Sequence, residues 1–146
     1  MSNILIIESR FYSEIANISL ETTKLILSEH NLNYDVISVP GAFEISSALN
    51  IALEVSDYEG VIVLGCVIKG ETDHYQLIIN ECTRTIHDIS IGYSLPLGFG
   101  LIAAHNIMQA EKRAIEYARR ASIACIELMN IKSKFYSLDK DKNIIQ

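Results

Sequence analysis

Four mainly apolar runs lie along the chain, separated by longer and more polar segments. They are Ile4–Ile7, Tyr34–Val39, Gly60–Ile68 and Leu95–Ala103. Each run is nearly continuous rather than alternating, a pattern typical of a parallel strand that is covered on both faces. The hydrophobic pattern therefore predicts four buried parallel strands.

The segments between the predicted strands carry apolar residues at the spacing of amphipathic helices. The first segment places Ile15, Ile18, Thr22, Leu25 and Ile26 on one face, and the third places Tyr75, Ile78, Ile79, Cys82, Ile86 and Ile89 on one face. Phe43–Val55 supplies the helix between the second and third strands, entered from a Pro40-Gly41 turn. Strands that alternate with helices form right-handed crossovers around a parallel sheet. The predicted fold class is α/β, a three-layer α/β/α sandwich with a four-stranded parallel sheet, flavodoxin-like.

The sequence after Gly100 contains no further glycine or proline. Small and apolar residues step by three and four along it, at Ile107, Ala110, Ala114, Ala118, Ala121, Cys125 and Leu128. This spacing predicts either one long helix or two abutting helices. The charged residues beyond Lys132 predict a frayed tail over about residues 133–146. No linker composition interrupts the chain, so residues 1–146 are expected to form a single domain.

Composition and charge exclude several classes of protein. The 146-residue chain has 12 basic and 18 acidic side chains, a net charge of −6, which opposes binding to nucleic acid. Its longest apolar runs, such as Val61–Leu64, are far shorter than the ~20 residues of a membrane span, and its start lacks the features of a signal peptide. Cys66, Cys82 and Cys125 show no metal-ligand spacing. We therefore expect a reduced cytoplasmic protein that binds no metal, nucleic acid or membrane.

The loop after the third predicted strand carries the most informative polar residues. Gly70 allows an unusual backbone conformation, and Asp73 and Gln76 have the spacing of a capping box at a helix start. Unpaired N–H groups at a helix start bind anions, and His74 beside them can exchange protons near neutral pH. Spacing alone leaves two interpretations open: an anion site with a titratable neighbour, or a simple turn with a surface histidine.

Other candidate residues are ambiguous from local context alone. Phe11 follows a strand end, where an aromatic ring can stack on a planar heterocycle or pack in the core. Arg113 has the surroundings of a solvated helix arginine, and Glu44 those of a residue that interacts with a helix dipole. The sequence contains no G-x-G-x-x-G, no G-x-x-x-x-G-K-[ST] and no H-E-x-x-H. Standard nucleotide loops and metal catalysis are therefore not expected.

Several segments of the chain together resemble the 6,7-dimethyl-8-ribityllumazine synthase family. They are Arg10-Phe11, Val39–Ile45, Leu64–Tyr75, Phe99-Gly100, Gln109-Ala110 and Arg113-Ala114. The combination of V-P-G-A-F-E with G-E-T-D-H is far more specific than any lone glycine motif. The similarity runs without a gap from Ala42 to Arg113 and more loosely from about Ile4 to Ile131.

The resemblance implies a reaction and a set of roles. The reaction condenses 5-amino-6-(D-ribitylamino)uracil with 3,4-dihydroxy-2-butanone 4-phosphate, releases phosphate and water, and needs no cofactor. By this resemblance, Phe11 stacks on the ring of the ribitylaminouracil, and Ala42, Phe43 and Glu44 meet its ribityl chain. Hydrogen bonds to the ring come largely from the backbone of Cys66, Val67 and Ile68. Phe99 contributes from across a subunit boundary.

The same resemblance implies how the second substrate is handled. Glu71 and Thr72 present backbone N–H groups to the phosphate of the butanone, and Arg113 is its charged partner. His74 is the acid/base of imine formation and phosphate departure. These roles agree with the anion site and titratable neighbour that the loop pattern allows.

The sequence departs from the family pattern at several positions. Lys69 replaces the usual arginine, and Ala103-Ala104 replace threonines. Ile115–Ala121 replaces a turn with glycine and lysine, which removes a lysine near the uracil at the position of Ala121. The same turn is associated with packing pentamers into icosahedral shells, and no extra N-terminal strand fits before Ile4.

The departures and the composition together shape the expected assembly. The apolar fraction of 49% indicates that some apolar surface is buried between subunits. We expect a homopentamer with active sites at its subunit interfaces, and two small molecules as substrates. The alternative is a non-catalytic flavin- or lumazine-binding oligomer on the same fold, which the loss of the lysine at Ala121 favours.

Overall fold

The structure is a computed structural model that describes residues 3–71 and 73–140. Its elements are β1 (Ile4–Ser9), α1 (Ser13–Glu29), β2 (Tyr34–Val39), a 3-10 turn (Ala42–Glu44), α2 (Ile45–Val55), β3 (Gly60–Ile68), α3 (Tyr75–Gly92), β4 (Leu97–Ala104) and α4 (Ile107–Lys140). Thr72, to which the resemblance assigns a phosphate contact, lies outside the described residues, as do residues 141–146.

The four strands form one all-parallel sheet in the order β2-β1-β3-β4. Helices α2 and α3 cover one face of this sheet, around a core that includes Leu5, Ile7 and Val63. Helices α1 and α4 cover the other face, where Ile6 and Ile62 are buried. The predicted three-layer α/β/α sandwich is therefore confirmed.

The outer strands differ from the predicted ones in two ways. β2 is an edge strand and its residues Asp35, Val36 and Ser38 are exposed, so the prediction that it is buried on both faces is wrong. β4 begins at Leu97 rather than Leu95. Pro96 has no N–H to donate to the sheet, although its carbonyl accepts a hydrogen bond from the Val61 N–H at 2.9 Å.

The C-terminal region is one continuous helix, which decides between the two predicted possibilities. Asn106 starts it, because its side-chain oxygen accepts a hydrogen bond from the Gln109 N–H at 2.8 Å. Helix α4 continues through Lys140, so its described part extends well into the segment predicted to be a frayed tail. Lys132 supports this extension, since its Nζ donates to the Ser94 carbonyl at 2.8 Å and lies 5.2 Å from the Tyr136 ring centre.

Helix α4 approaches β4 closely because the facing residues are small. Ala118, Ala121 and Cys125 are buried on the sheet side of the helix. A Cβ added to Gly98 would overlap the carbonyl oxygen of Ala121 and lie 2.8 Å from its carbonyl carbon. Gly98 is thus required by the distance between helix and strand.

Apolar side chains remain exposed on the outer helices of the single chain. Ile51 and Val55 on α2, Ile91 on α3, and Met108 and Ile115 on α4 are the main examples. None of the described helices is long and apolar enough to cross a membrane. The exposed residues are spread over both outer layers of the sandwich.

The close contact at Gly98 predicts how a substitution there changes the free energy of unfolding. Gly98→Ala should lower the free energy of unfolding by about 1–3 kcal/mol, because the added methyl group pushes α4 away from the sheet. Urea unfolding followed by far-UV circular dichroism at a fixed protein concentration measures the change.

The matched control is Gly92→Ala at the end of α3, where an added Cβ has no atom within 4 Å. This variant should be unchanged or up to about 1 kcal/mol more stable. A Gly98→Ala protein as stable as wild type would show that α4 is free to move outward.

Candidate functional site

A cavity of about 440 Å³ opens at the carboxyl ends of β1 and β3, beside the turn that follows β2. We call it the strand-end cavity. Its lining residues are Phe11, Tyr12, Pro40, Gly41, Ala42, Phe43, Glu44, Cys66, Val67, Ile68, Glu71 and Ile78. Parallel strands end at the same edge of a sheet, and ligands bind there in open α/β folds. A larger, more open depression lies near Tyr58 and the end of α4, and none of the sequence-predicted site residues lines it.

One wall of the strand-end cavity is aromatic and exposed. The Phe11 side chain is 71% exposed in the single chain and contacts Tyr12 edge-on, with 5.0 Å between the ring centres. Burial raises the pKa of the Tyr12 hydroxyl, and the nearby Glu71 carboxylate adds to that rise. Phe11 therefore does not pack in the core, which was one of its two interpretations from the sequence.

The opposite wall is the 3-10 turn Ala42–Glu44. The Cys82 thiol of α3 donates to the Ala42 carbonyl at 3.3 Å and ties this turn to the helix layer. Gly41 enters the turn with an extended backbone. Ala42, Phe43 and Glu44, the residues implied to meet a ribityl chain, thus lie together on one short segment.

The floor of the cavity is the end of β3, at Cys66, Val67 and Ile68. The Val61 and Lys69 N–H groups both donate towards β4, and backbone direction alternates along a strand. The backbone groups of Cys66 and Ile68 therefore face the side of β1, whose pairing with β3 ends at Leu64. This arrangement aims backbone donors and acceptors at the cavity.

The Cys66 side chain adds little polarity to this floor. Burial raises the pKa of its thiol to about 12, because the thiolate would lose its hydration. The thiol is therefore protonated at neutral pH and is a poor nucleophile. Its place in the cavity fits a contact through the backbone.

The loop after β3 begins as the sequence predicts and then differs. Gly70 has a φ of +89°, the left-handed conformation that glycine adopts freely. Helix α3 begins at Tyr75 with His74 in the N-cap position, and the described residues show no side-chain cap there. The capping box predicted for Asp73 and Gln76 is wrong: Gln76 Nε2 donates to Asn80 Oδ1 at 2.9 Å instead.

Glu71 lies at the cavity, but its backbone N–H is engaged within the turn. It donates to the Ile68 carbonyl at 3.2 Å. A phosphate that bound to this N–H would replace that turn hydrogen bond. The role implied for Glu71 therefore requires a local rearrangement of the loop.

Arg113 lies away from the strand-end cavity, on the far side of the sheet edge. Its Nη1 donates to the Ala103 carbonyl at 2.6 Å. The Ala104 carbonyl accepts from the Lys69 N–H, so the Ala103 carbonyl points the other way, to the open edge of β4. The guanidinium group of Arg113 is therefore at the outer edge of the sheet.

Two further candidate residues also lie outside the cavity lining of their own chain. Phe99 is on the edge strand β4, partly buried, with its ring centre 5.0 Å from that of His87 on α3. His74 is at the start of α3, close in sequence to Glu71 but not among the lining residues. The candidate residues therefore form two groups: those that line the strand-end cavity, and Arg113, Phe99 and His74, which do not line it.

Ala121, which stands where the family usually has a lysine, is closed to solvent. Ala121 is 2% exposed, and its Cβ would lie 3.2 Å from a Cβ on Gly100. A lysine there would face the sheet rather than a ligand. An alanine in place of the family's lysine is therefore consistent with the close packing of α4 on β4.

A hydrogen-bond network that no sequence pattern predicts lies next to the cavity. The Glu8 side chain is only 2% exposed, although it carries a charge. Its carboxylate accepts hydrogen bonds from Ser38 Oγ at 2.6 Å and from Arg10 Nη1 at 2.7 Å. The available signal was a glutamate directly after the apolar run Ile4–Ile7, where both faces of the sheet are covered.

No group of three or more His, Cys, Asp or Glu side chains that could hold a metal ion occurs in the described part of the chain. The chemistry available at the strand-end cavity is therefore that of backbone groups, an aromatic ring, carboxylates and the neighbouring His74.

Comparison with known proteins adds a family to this geometry. Residues 1–133 match the family model described as 6,7-dimethyl-8-ribityllumazine synthase. A protein of that name from Agrobacterium fabrum is 40% identical over 138 residues, which cover 86% of this chain and 93% of the relative. Another from Afipia carboxidovorans is 39% identical over 142 residues, covering 91% and 87%. A third, 6,7-dimethyl-8-ribityllumazine synthase 1 from Rhizobium meliloti, is 38% identical over 138 residues, covering 86% and 90%.

Proposed function

The chain belongs to the 6,7-dimethyl-8-ribityllumazine synthase family, and from this premise we propose that it is a transferase that forms 6,7-dimethyl-8-ribityllumazine. It condenses 5-amino-6-(D-ribitylamino)uracil with 3,4-dihydroxy-2-butanone 4-phosphate and releases phosphate and water. The reaction belongs to riboflavin biosynthesis. The names of the relatives favour this enzyme over the alternative, a non-catalytic lumazine-binding oligomer.

The observation that carries the proposal is the composition of the strand-end cavity. An exposed aromatic ring, Phe11, lines the same cavity as the backbone groups at the end of β3. A planar pyrimidinedione needs a surface to stack on and hydrogen-bond partners in its own plane. The cavity of about 440 Å³ also lies within the size range of small-molecule sites.

The ribitylaminouracil would occupy this cavity in a defined direction. Its ring stacks on Phe11 and exchanges hydrogen bonds with the backbone of Cys66 and Ile68. Val67 lines the same cavity, but its backbone groups face β4, so its contact with the ring is through its side chain. Its ribityl chain extends along the turn Ala42–Glu44, where the Glu44 carboxylate can accept hydroxyl hydrogen bonds. The turn is held by Cys82, so its backbone is in place before the substrate arrives.

The butanone phosphate would bind beside the first substrate, towards the start of α3. Thr72 would offer its backbone N–H group, and Glu71 would do so after its turn hydrogen bond to the Ile68 carbonyl opens. The partial positive charge of the helix start attracts the phosphate. Arg113 is the charged partner, since its planar guanidinium donates two parallel hydrogen bonds to phosphate oxygens. His74 moves protons during imine formation and phosphate departure.

Arg113 and Phe99 serve the cavity of a neighbouring copy in this proposal. Both residues lie at the β4 edge of the sheet, whereas the strand-end cavity lies at the ends of β1 and β3. A ring of copies in which the β4 edge of one chain abuts the cavity of the next would bring the two groups together. The assembly we propose is a homopentamer, and the exposed apolar residues of the outer helices supply surface for its contacts.

The environment proposed for the enzyme is the cytoplasm. The three cysteines are buried and unpaired, as expected in a reducing compartment.

Turnover is the first test of the proposed function. Purified protein mixed with both substrates should form lumazine, followed by absorbance, well above a protein-free control. His74→Ala should lower kcat by about 100-fold while the affinity for the ribitylaminouracil stays unchanged, because only proton transfer is lost. His30→Ala, at the end of α1 and outside the cavity lining, is the control and should keep full activity.

An unchanged rate in His74→Ala would remove this histidine from the mechanism. A wild-type protein that binds the ribitylaminouracil without accelerating the reaction would instead be the non-catalytic binding oligomer.

Arg113→Ala tests the assignment of the phosphate partner. It should raise KM for the butanone phosphate by about 10–100-fold and leave KM for the ribitylaminouracil nearly unchanged, because a charge-assisted hydrogen bond is lost. Arg119→Ala makes the same substitution on the same helix, at an arginine that pairs with Glu116 on the surface, and should change neither constant. Equal losses for both substrates in Arg113→Ala would contradict the assigned role.

Light scattering on the purified protein tests the assembly. The expected mass is five times that of one chain, because Ile115–Ala121 forms regular helix in place of the turn associated with shell formation. A mass of about sixty chains, as in an icosahedral shell, or of a single chain would refute the homopentamer.

A further inference from the structure

The Glu8 carboxylate is a buried charge at the end of β1, next to the strand-end cavity. Glu8 pairs with Ser38 of β2 and with Leu64 of β3. The pair with Leu64 is the last one between β1 and β3. Removing a carboxylate from water is costly unless it is paired and hydrogen-bonded. Both of its oxygens have partners, Arg10 and Ser38, and each partner lies on a segment that leads into a different wall of the cavity.

The first oxygen of Glu8 binds the loop that carries Phe11. Arg10 Nη1 donates to it, while the Nη2 of the same guanidinium donates to the Ser13 carbonyl at 3.4 Å and to Asn17 Oδ1. Arg10 thereby joins the end of β1 to the first turns of α1. Phe11, which lies between those two points and is mostly exposed, has few contacts of its own to hold it in place.

The second oxygen of Glu8 binds the strand that leads into the opposite wall. Ser38 Oγ donates to it at 2.6 Å, and four residues later the chain enters the turn Ala42–Glu44. The Arg10 N–H also donates to the Val39 carbonyl at 3.2 Å, which closes the same junction through the backbone. One carboxylate therefore connects both walls of the cavity.

We propose that Glu8 is a positioning residue that, through Arg10 and Ser38, sets the distance between Phe11 and the turn Ala42–Glu44. The inference rests on the proposed function, since these two walls would hold the ribitylaminouracil. The groups proposed to bind the phosphate are on other segments, the loop before α3 and helix α4, and the two partners of Glu8, Arg10 and Ser38, are on neither segment. Loss of Glu8 should therefore weaken binding of one substrate and spare the other.

The Glu8 carboxylate is buried and its partner Arg10 is partly exposed, so the chemistry of buried ion pairs applies on the glutamate side and separates positioning from stability. Replacing a buried pair by apolar residues of similar size often leaves a protein as stable or more stable, whereas removing one partner leaves an uncompensated charge. A pair retained for stability alone is thus replaceable by Glu8→Leu with Arg10→Met. That double substitution keeps the packing but cuts both links to the cavity walls.

The experiment measures the affinity for the ribitylaminouracil by quenching of protein or ligand fluorescence, together with KM for each substrate. In Glu8→Gln the affinity should fall about tenfold, while KM for the butanone phosphate changes by less than about twofold. The same selective loss is expected in the Glu8→Leu/Arg10→Met double variant even where its unfolding midpoint equals that of wild type. Ser38→Ala, which cuts only the link to β2 and leaves the ion pair, should show a smaller loss of the same kind.

Glu116→Gln is the matched control, because it removes one carboxylate charge from an exposed pair with Arg119 and Arg120 on α4. It should leave both substrates unaffected. Wild-type affinity in Glu8→Gln, or recovered affinity in a stable double variant, would overturn the positioning role. The binding measurement needs no turnover, so a wild-type protein that binds the ribitylaminouracil without reacting contradicts the proposed function alone.

Discussion

The close contact between helix α4 and strand β4 is the constraint on which much of this structure depends. Gly98 allows the Ala121 backbone to approach the sheet, and Ala118 and Cys125 continue the same line of small buried residues. Because α4 lies so near the sheet here, the positions that face Gly98 and Gly100 admit no long side chain. This explains why Ala121 is buried and why no lysine from that position reaches a ligand.

The position of α4 also decides where Arg113 lies. Arg113 lies next to the buried alanines Ala110 and Ala114 on the helix surface, but it is itself only partly buried. Its guanidinium donates to the Ala103 carbonyl on the open edge of β4. Its charge therefore faces outward from the sheet edge rather than towards the cavity of its own chain. A group that serves an anion from this place acts most directly on a neighbouring molecule packed against that edge.

The strand-end cavity forms because β1 ends before its neighbour β3 does. The pairing of β1 with β3 stops at Leu64, while β3 continues to Ile68 with β4 as its partner. The gap beyond β1 is bordered by the loop of Phe11 and by the turn Ala42–Glu44. Both borders are surface segments, and the hydrogen bonds of Glu8 and Cys82 link them to the strands and to α3.

The layers of this protein and its family can both be predicted from the amino-acid pattern alone. Strand and helix periodicities are local, so the apolar runs and the three-and-four spacing predicted nearly every element, and the V-P-G-A-F-E and G-E-T-D-H segments indicated the family. Start signals were less reliable, since the capping box expected at Asp73 gave way to a helix that begins at Tyr75.

Which strands are at the edges, how far apart the candidate residues lie and which charge is buried all depend on how the chain packs in three dimensions. Strand order and register depend on contacts between residues far apart in the chain, and no local pattern reports them. The exposure of β2, the separation of Arg113 from Phe11, and the burial of Glu8 beneath Arg10 and Ser38 are all consequences of that order. A glutamate after an apolar run looks like the end of a strand in the sequence, and only the neighbouring strands make it a buried link between two walls.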